Sequence, residues 1–474
     1  MSDWAIALNR FGLGRKLGER LPDDPRRWLL SQFHSYDARP QRLKRGGLSS
    51  EAVHQMNTLR AVRNQAKRNA GLASRMTEND KLAAAATQAR IDFRRAARIR
   101  YVDNVKASIQ TALASDAPFI ERLVRFWSNH FAVSVDRNSD LMALAGAFEF
   151  EAIRPHLLGK FADMVTAVER HPAMLLFLDQ RMSLGPGSAF LSRRPNAARG
   201  LNENLAREIL ELHTMGVRSG YSQADVIELA RGLTGWTYSG GSLTAADRFI
   251  TNAVPGEFTF VKQFHEPGVR KLLDRTYDQA GEAQAGAMLA DISRRPETAR
   301  FISTKLARHF AGDDPAPSLV DRLSDAFLES DGDLPTVYRV LVESPECWAG
   351  DVVKFRTPWD WLIASQRALG QYKARGQTLV GLLDQLGQPM WSPGSPAGYE
   401  DTAARWLSAD TLIRRLGIAA QLVNAQPAKI DPRSLGEALF AGKLEPDTAQ
   451  RIADAPEKSL GLAILLSSPQ MLRR

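Results

Sequence analysis

The stretch NENLAREILELHTMGV, residues 202–217, gathers Glu203, Arg207, Glu208 and Glu211 on one short segment. Carboxylates crowded around a guanidinium can hold separated proton affinities, and so divide acid work from base work. At about 100° per residue, Leu201, Leu205, Ile209 and Leu212 share one side of a helix, widened by Ala206 and Leu210. Glu203, Asn204, Arg207, Glu208 and Glu211 fill the opposite arc. Arg207 stands four residues from both Glu203 and Glu211, the spacing at which helical side chains meet. Two arrangements satisfy this pattern. One is a solvated ladder worth a few tenths of a kcal/mol per pair. The other is a cleft floor, with Glu208 or Glu211 as general acid or base and Arg207 holding an anionic group or tuning the carboxylates. His213 falls on the apolar side and reads as a hydrogen-bonded core imidazole.

The other histidines are scattered. His130 lies in RFWSNHF, His171 precedes Pro172 at a helix boundary, His265 sits in the turn HEPG, and His309 follows Arg308 in a helix. None is four residues from another, so metal-ligand spacing is not visible, and a single cysteine, Cys347, excludes a thiolate cage. His130 and His265 are expected to approach the glutamates from neighbouring elements. Trp391 and Tyr399, in GQPMWSPGSPAGY (387–399), offer flat faces to a sugar or another planar ligand. Gly-x-Ser-x-Gly, the phosphate loop and His-Glu-x-x-His are all absent. Gly12-Leu-Gly14-Arg-Lys-Leu-Gly18 has one residue too many for the dinucleotide fingerprint and follows a helical stretch. Asp136, Asn138 and Asp140 open like a calcium loop. Leu141 and Ala147 then stand where glycine and glutamate are needed, so a capped helix start is expected. These residues name no metal and no cofactor.

Helical periodicity supplies the elements that carry them. Long helices are expected over 50–115, where Val102, Val105, Ile109 and Leu113 form a stripe, and over 117–131, 139–152 and 160–170. The glutamate helix should run 201–216. A second helix, 222–233, is opened by the capping pattern Ser222 and Asp225. Trp236–Tyr238 and Glu257–Val261 are the strand candidates. Helices resume at 281–293, 296–310, 316–328 and 333–344, and again from 355 onward. The expected fold is mainly α: a large multi-helix body with a small β-hairpin insertion. Residues 1–350 would form the body and 351–474 a C-terminal helical portion packed on it. The 474 residues, 44% of them hydrophobic, are ample for a large core.

The formal net charge of +9 is local. Residues 60–100 carry eleven lysines and arginines against Glu78, Asp80 and Asp92. Phe93 is the only aromatic there, so base stacking is not supported. The helix pair 201–216 and 222–233 is a poor DNA-reading unit, since Asp225 and Glu228 oppose Arg231. Nucleic-acid binding therefore ranks third. It follows an enzyme or ligand-binding protein with its site over 202–213, and an assembly protein whose basic helices meet an acidic partner. The start MSDWAIALNRFGLGRK has no signal-peptide pattern, and no run of about 18 apolar residues occurs, so the cytoplasm is the expected compartment.

Several stretches carry a resemblance: RFWSNHF (125–131), GKFADMVTAVERHPAMLLFLDQ (159–180), LNENLAREILELHTMGVRSGYSQADVIELARGLTGW (201–236), FTFVKQFHEPGVRKLL (258–273) and RPETARFISTKLARHFAGDDP (295–315). In this order they resemble the bacterial family called domain of unknown function 1800, over most of the chain. The resemblance implies no established activity. It implies a genomic neighbour, the family called domain of unknown function 1501, which looks related to alkaline phosphatases and sulfatases and is the candidate partner. It also implies export as the alternative location. The family's recurring polar positions fall here on Asn129, His130, His171, Asp179, Asn202, Glu203, Asn204, Arg207, Glu208, Glu211 and His265. Gln180 stands where an asparagine is usual, and the opening residues carry no leader pattern, so export is the less expected location. With the resemblance, a buried or cleft-lining polar network, either functional or purely structural, is favoured over the solvated ladder. Asn202, Asn204, Asn129 and Asp179 join Trp391 and Tyr399 as ligand-binding candidates, in an enzyme of hydrolytic type or a ligand-binding protein.

Overall fold

The computed structural model describes residues 2–70, 76–194, 200–240, 249–250, 253–350, 354–425 and 430–474. The fold is mainly α, 63% helical against 4% strand, and the strands form two separate antiparallel pairs. Two long helices, α1 (Ser49–Ala70) and α2 (Met76–Ala114), pack against each other. Arg63, Lys67, Arg68, Arg75 and Lys81, part of the basic segment, have side chains outside the described residues. Farther along α2 the helix divides into two environments. Arg90, Arg94, Arg95 and Arg98 face solvent, whereas Tyr101, Val105, Ile109 and Leu113 are buried.

The amphipathic helix α3 (Pro118–His130) enters the core with Phe119, Leu123, Phe126 and Trp127 all buried. Proline at its first position costs no hydrogen bond, because the first amide of a helix has no intrahelical partner. One hydrophobic cluster runs from Ile6 to Met471, so residues from both ends of the chain share it. Asn138 caps the helix Ser139–Phe148 through Leu141 N, which places the Asp136–Asp140 stretch as a helix start.

Among the described residues, three π-helical turns interrupt this α architecture: Ala7–Phe11, Glu149–Ile153 and Ile209–His213. A π turn admits one extra residue and re-aims the side chains beside it. Each of the three buries a polar group, respectively Arg10, Glu149 and His213. The third shortens the expected glutamate helix, whose α part is only Asn204–Glu208. Thr214 Oγ1 donates to Ile209 O at 2.6 Å and Gly216 N to Leu210 O at 3.1 Å, which closes the wide turn. Gly216 adopts φ +91 with the Phe301 ring where a side chain would stand, so the exit from the turn requires glycine.

Helix α4 (Gln223–Leu233) opens with the expected capping box between Ser222 and Asp225. Strands β1 (Trp236–Tyr238) and β2 (Phe258–Phe260) pair antiparallel, with Trp236 opposite Phe260. No second hairpin is expected from the sequence, but β3 (Arg270–Leu272) and β4 (Arg275–Tyr277) form one. Its two-residue turn puts Leu273 at φ +54, a conformation that glycine or asparagine normally signals. The turn is held from outside: Leu273 N donates to Asp225 Oδ1 at 2.6 Å, while Asp225 Oδ2 accepts from Ser222 N at 2.8 Å. One carboxylate thus caps a helix and clasps a hairpin. Asp225→Ala is expected to cost about 1–2 kcal/mol, the upper range for a lost cap, with Asn recovering part of it. Urea denaturation of the two variants measures this.

Candidate functional site

The glutamate helix lies at the surface, and its ladder is a solvated one. Arg207 reaches Glu203 at 3.3 Å and Glu211 at 3.4 Å, with side-chain exposures of 38%, 34% and 26%. Gln223 joins them, accepting from Arg207 at 2.7 Å and donating to Glu203 at 2.7 Å, which ties the segment to α4. The expectation of an enclosed polar floor is therefore corrected for these three residues. Their charge is spent on one another and on holding two helices together. Asn204 is exposed. Asn202 makes a local turn instead of meeting a ligand: its Oδ1 accepts from Asn204 N at 3.0 Å and its Nδ2 donates to Leu178 O at 3.1 Å. Asp179, in left-handed backbone at φ 56, pairs with Arg137.

Glu208 alone turns partly inward. Burial pushes its carboxyl above the ordinary value, Glu211 and Glu169 adding to the rise while His213 and Arg207 oppose it. Beneath it lies a fully buried pair, His213 Nδ1 to Glu169 Oε1 at 2.8 Å. His171 caps the next helix through Ala173 N and contacts Glu151 Oε2 at 3.2 Å. His265 is not among the charged groups that shift Glu208. Its Nδ1 donates to Thr234 O at 2.9 Å, and it borders a separate groove with Lys262 and Asp278.

The stronger concentration of chemistry lies elsewhere. Four elements enclose a cavity of about 280 Å³: α3, helix α5 (Pro296–Ala311), the N-terminal end of helix α6 (Pro358–Ala368) and the loop 387–402. Helix α3 contributes Arg125, Asn129 and His130. From α5 come Lys305, Arg308 and His309, a set at spacings of three and four that shares one helix side. The loop contributes Tyr399, Glu400 and Asp401, and α6 contributes Asp360.

Asn129 positions the loop. Its Nδ2 donates to Tyr399 O and its Oδ1 accepts from Tyr399 N, both at 2.8 Å, so one donor and one acceptor of its amide hold the scaffold. Trp391 is likewise corrected as a stacking platform. It is only 4% exposed, and its Nε1 donates to the buried Glu149 at 3.1 Å. Tyr399 does line the cavity, with its hydroxyl 2.8 Å from Pro389 O and 2.7 Å from Ser392 O.

His130 reaches the cavity from a different helix face. Lys305 Nζ lies 2.9 Å from His130 Nδ1, and His130 Nε2 lies 3.0 Å from His213 O. A carbonyl only accepts, so Nε2 carries the proton and Nδ1 accepts from the lysine. Burial, reinforced by Lys305, holds the imidazole well below its ordinary value and therefore neutral. Burial also lowers the Lys305 amine to about 8, with Asp401 opposing and Arg308 assisting.

A buried ion network forms the cavity wall. Asp360 meets Arg122 at 3.0 Å and Arg474 at 3.3 Å. Asp401 meets His309 Nδ1 at 2.6 Å and Lys354 at 3.2 Å, and Lys354 also reaches Asp313 at 2.8 Å. Burial alone would raise the Asp360 carboxyl, but Arg122 and Arg474 outweigh it and hold it at about 2. Burial lowers His309 to about 4 despite Asp401. Arg474 Nη2 lies 3.5 Å from Nδ1 and 3.4 Å from Nε2 of His309, favouring neither nitrogen. Asp360 is thus paired with two arginines, while Asp401 shares Lys354 with Asp313 and hydrogen-bonds to His309. Arg125, Lys305 and Arg308 have no carboxylate within ion-pair distance among the described residues.

The family described as "Protein of unknown function (DUF1800)" matches residues 6–473. The chain belongs to that family. No curated protein and no solved structure matches it. Of the polar positions expected in this DUF1800 chain, the structure brings Asn129, His130 and Tyr399 to one cavity and leaves Asp179, Asn202, Asn204 and His265 apart from it. Lys305, Arg308, Asp360 and Asp401 were missed as site residues. The Lys305–Arg308–His309 spacing on one helix is the visible signal for the two cations, and the two aspartates have none. Among the described residues no group of three or more His, Cys, Asp or Glu is placed to hold a metal ion, and no helix is long and apolar enough to cross a membrane.

Asp360→Asn removes one side of a buried pair and is expected to destabilise the fold by about 3–5 kcal/mol. The pH dependence follows from the directions of the shifts. Asp360 titrates below its ordinary 3.8, so its stabilisation is complete above that value and lost as pH falls toward 2. His309 titrates at about 4 instead of 6.5, so the unfolded chain binds that proton first and stability also falls from pH 6.5 to 4. Urea midpoints measured across this range should decline continuously on acidification. His309→Gln should flatten the upper part of the decline.

Proposed function

We propose that this chain is an enzyme whose substrate is a small anionic molecule held in the cavity between α3, α5 and the loop 387–402. The observation that supports the reading is the charge balance of the lining. Asp360 is held by Arg122 and Arg474, Asp401 is held by Lys354 and His309, and the further lining carboxylate Glu400 is exposed to solvent, whereas Arg125, Lys305 and Arg308 have no carboxylate partner among the described residues. Among the described residues Arg125 meets Met390 Sδ at 3.5 Å and the Trp359 ring, and burial lowers its guanidinium below the ordinary value. Arg308 donates only to a backbone carbonyl, Asp313 O, at 3.1 Å. Partly buried cations without counter-charge are costly, and a bound carboxylate, sulfate or phosphate group removes that cost.

Acid–base chemistry has its own apparatus beside these cations. Lys305 carries an amine near the range useful at neutral pH, and neutral His130 fixes its direction. Hydrolysis is one reaction such a pair serves, drawing a proton from water next to the bound anion. On this reading the glutamate helix is the outer support of the site, joined to it through His213 O and His130.

The test is an anion titration of thermal stability. Sulfate and citrate, added over a constant chloride background, should raise the unfolding temperature, since ligand bound only to the native state stabilises by mass action. Arg125→Gln and Arg308→Gln should each weaken the effect by about tenfold or more, the loss typical of one charge-assisted hydrogen bond. Unchanged unfolding temperatures in the parent protein, or identical responses in the variants, would remove the basis of the reading.

A second reading, docking of an acidic partner, is favoured by the solvent face of α2. Arg90, Arg94, Arg95 and Arg98 are exposed there beside Ile91 and Ile99, at 47% and 57% exposure. Reversal of Arg94, Arg95 and Arg98 to glutamate should abolish co-purification of such a partner and leave the anion titration unchanged.

A further inference from the structure

The geometry around Lys305 points to covalent chemistry: we propose that its amine forms an imine with an anionic carbonyl compound, a 2-oxo acid, bound in the α3–α5 cavity. This rests on the anionic-substrate reading and names the substrate class. Lys305 lines the cavity, and its Nζ stands 2.9 Å from His130 Nδ1. Because His130 must present its lone pair at Nδ1, the amine donates one N–H toward His130, and its own lone pair projects on another side of the nitrogen. The phenyl ring of Phe301 lies 5.4 Å from Nζ and adds apolar surroundings. A lysine in such surroundings, next to a further cation, is the kind whose amine is activated toward carbonyl carbon. Arg125 and Arg308 line the same cavity and suit the carboxylate of the 2-oxo acid, through paired N–H donors.

The step balances without a co-reactant. Nζ adds to the carbonyl carbon and forms the C–N bond while the carbonyl oxygen takes up a proton. The carbinolamine then loses that oxygen as water, so two protons leave Nζ and C=N replaces C=O. His130 hydrogen-bonds to the amine and is a positioning residue, since it touches Nζ and not the carbonyl.

The test is reductive trapping on the full chain. Glyoxylate and sodium cyanoborohydride are added near pH 7, and adducts are located by peptide mass mapping. An amine titrating at about 8 has a neutral fraction on the order of a hundredfold larger near pH 7 than an ordinary lysine. Lys305 should therefore label at least about tenfold faster than the exposed Lys373, with a rate that levels off near pH 8 while that of Lys373 still climbs. Lys305→Arg should lose the label, and the sulfate response of the parent protein, read separately, distinguishes failure of this inference from failure of the anion site. His130→Phe should shift the pH profile of labelling. Propanal, a neutral aldehyde, should label Lys305 far more slowly than glyoxylate. Labelling at Lys305 no faster than at Lys373 overturns the imine. Equal labelling by propanal and glyoxylate overturns the anionic substrate class.

Discussion

Two carboxylates, the buried Asp360 and the half-buried Asp401, make the interior electrostatically tolerable. Around them stand Arg122, Arg474, His309 and Lys354, drawn from α3, the last residue of the chain, α5 and the segment before α6. Ions taken out of water lose several kcal/mol of hydration each, and only close pairing with full hydrogen bonding recovers it. The fold meets this requirement by bringing distant parts of the sequence to one point. Arg122 also donates to Gly12 O, and Arg474 donates to Arg10 O. Helix α3, helix α5 and the C-terminal Arg474 are therefore fixed relative to one another before any ligand arrives, which is the condition for a preorganised site.

The polar interior continues from there as a chain of single hydrogen bonds. Lys305 contacts His130, His130 contacts His213 O, and the His213 ring contacts Glu169. The π turn Ile209–His213 makes the connection, because it delivers both the carbonyl and the imidazole of one residue to the core. A surface ladder of glutamates and a deep cavity are thus opposite ends of one continuous structure. Substitutions in the ladder would reach the cavity only through the position of His213.

Much of the fold was legible in the sequence. Helical spans such as Pro296–Ala311 and Gln223–Leu233, and the strand pair Trp236–Tyr238 with Phe258–Phe260, follow from apolar periodicity, prolines at first turns and the Ser222–Asp225 cap. The hairpin at Leu273 was not legible, since its turn is imposed by Asp225 from 48 residues away and not by local turn chemistry. The candidate site was legible only in part. Motif density drew attention to Glu203, Arg207 and Glu211, whose spacing is equally that of a solvated ladder. Burial decides between the two, and burial is a tertiary property. Asp360, Asp401 and Arg474 are separated by up to 114 residues, and no periodic signal relates them. Trp391 read as a ligand platform because it stands in a loop, but loop residues can be core residues when a buried carboxylate such as Glu149 accepts their N–H.

The loop 387–402 rests on α3 at Gly398, which adopts φ +79 and approaches so closely that an added methyl would lie 2.2 Å from Asn129 O. A hydrogen atom at that one position sets the height of the roof. Evolution can therefore reshape the entrance at Gly394, Ser395 or Ala397, where Gly394 has open space beside it, while the hinge itself tolerates no decoration. Variation in what the chamber admits is thereby channelled to its rim, and its ceiling stays constant.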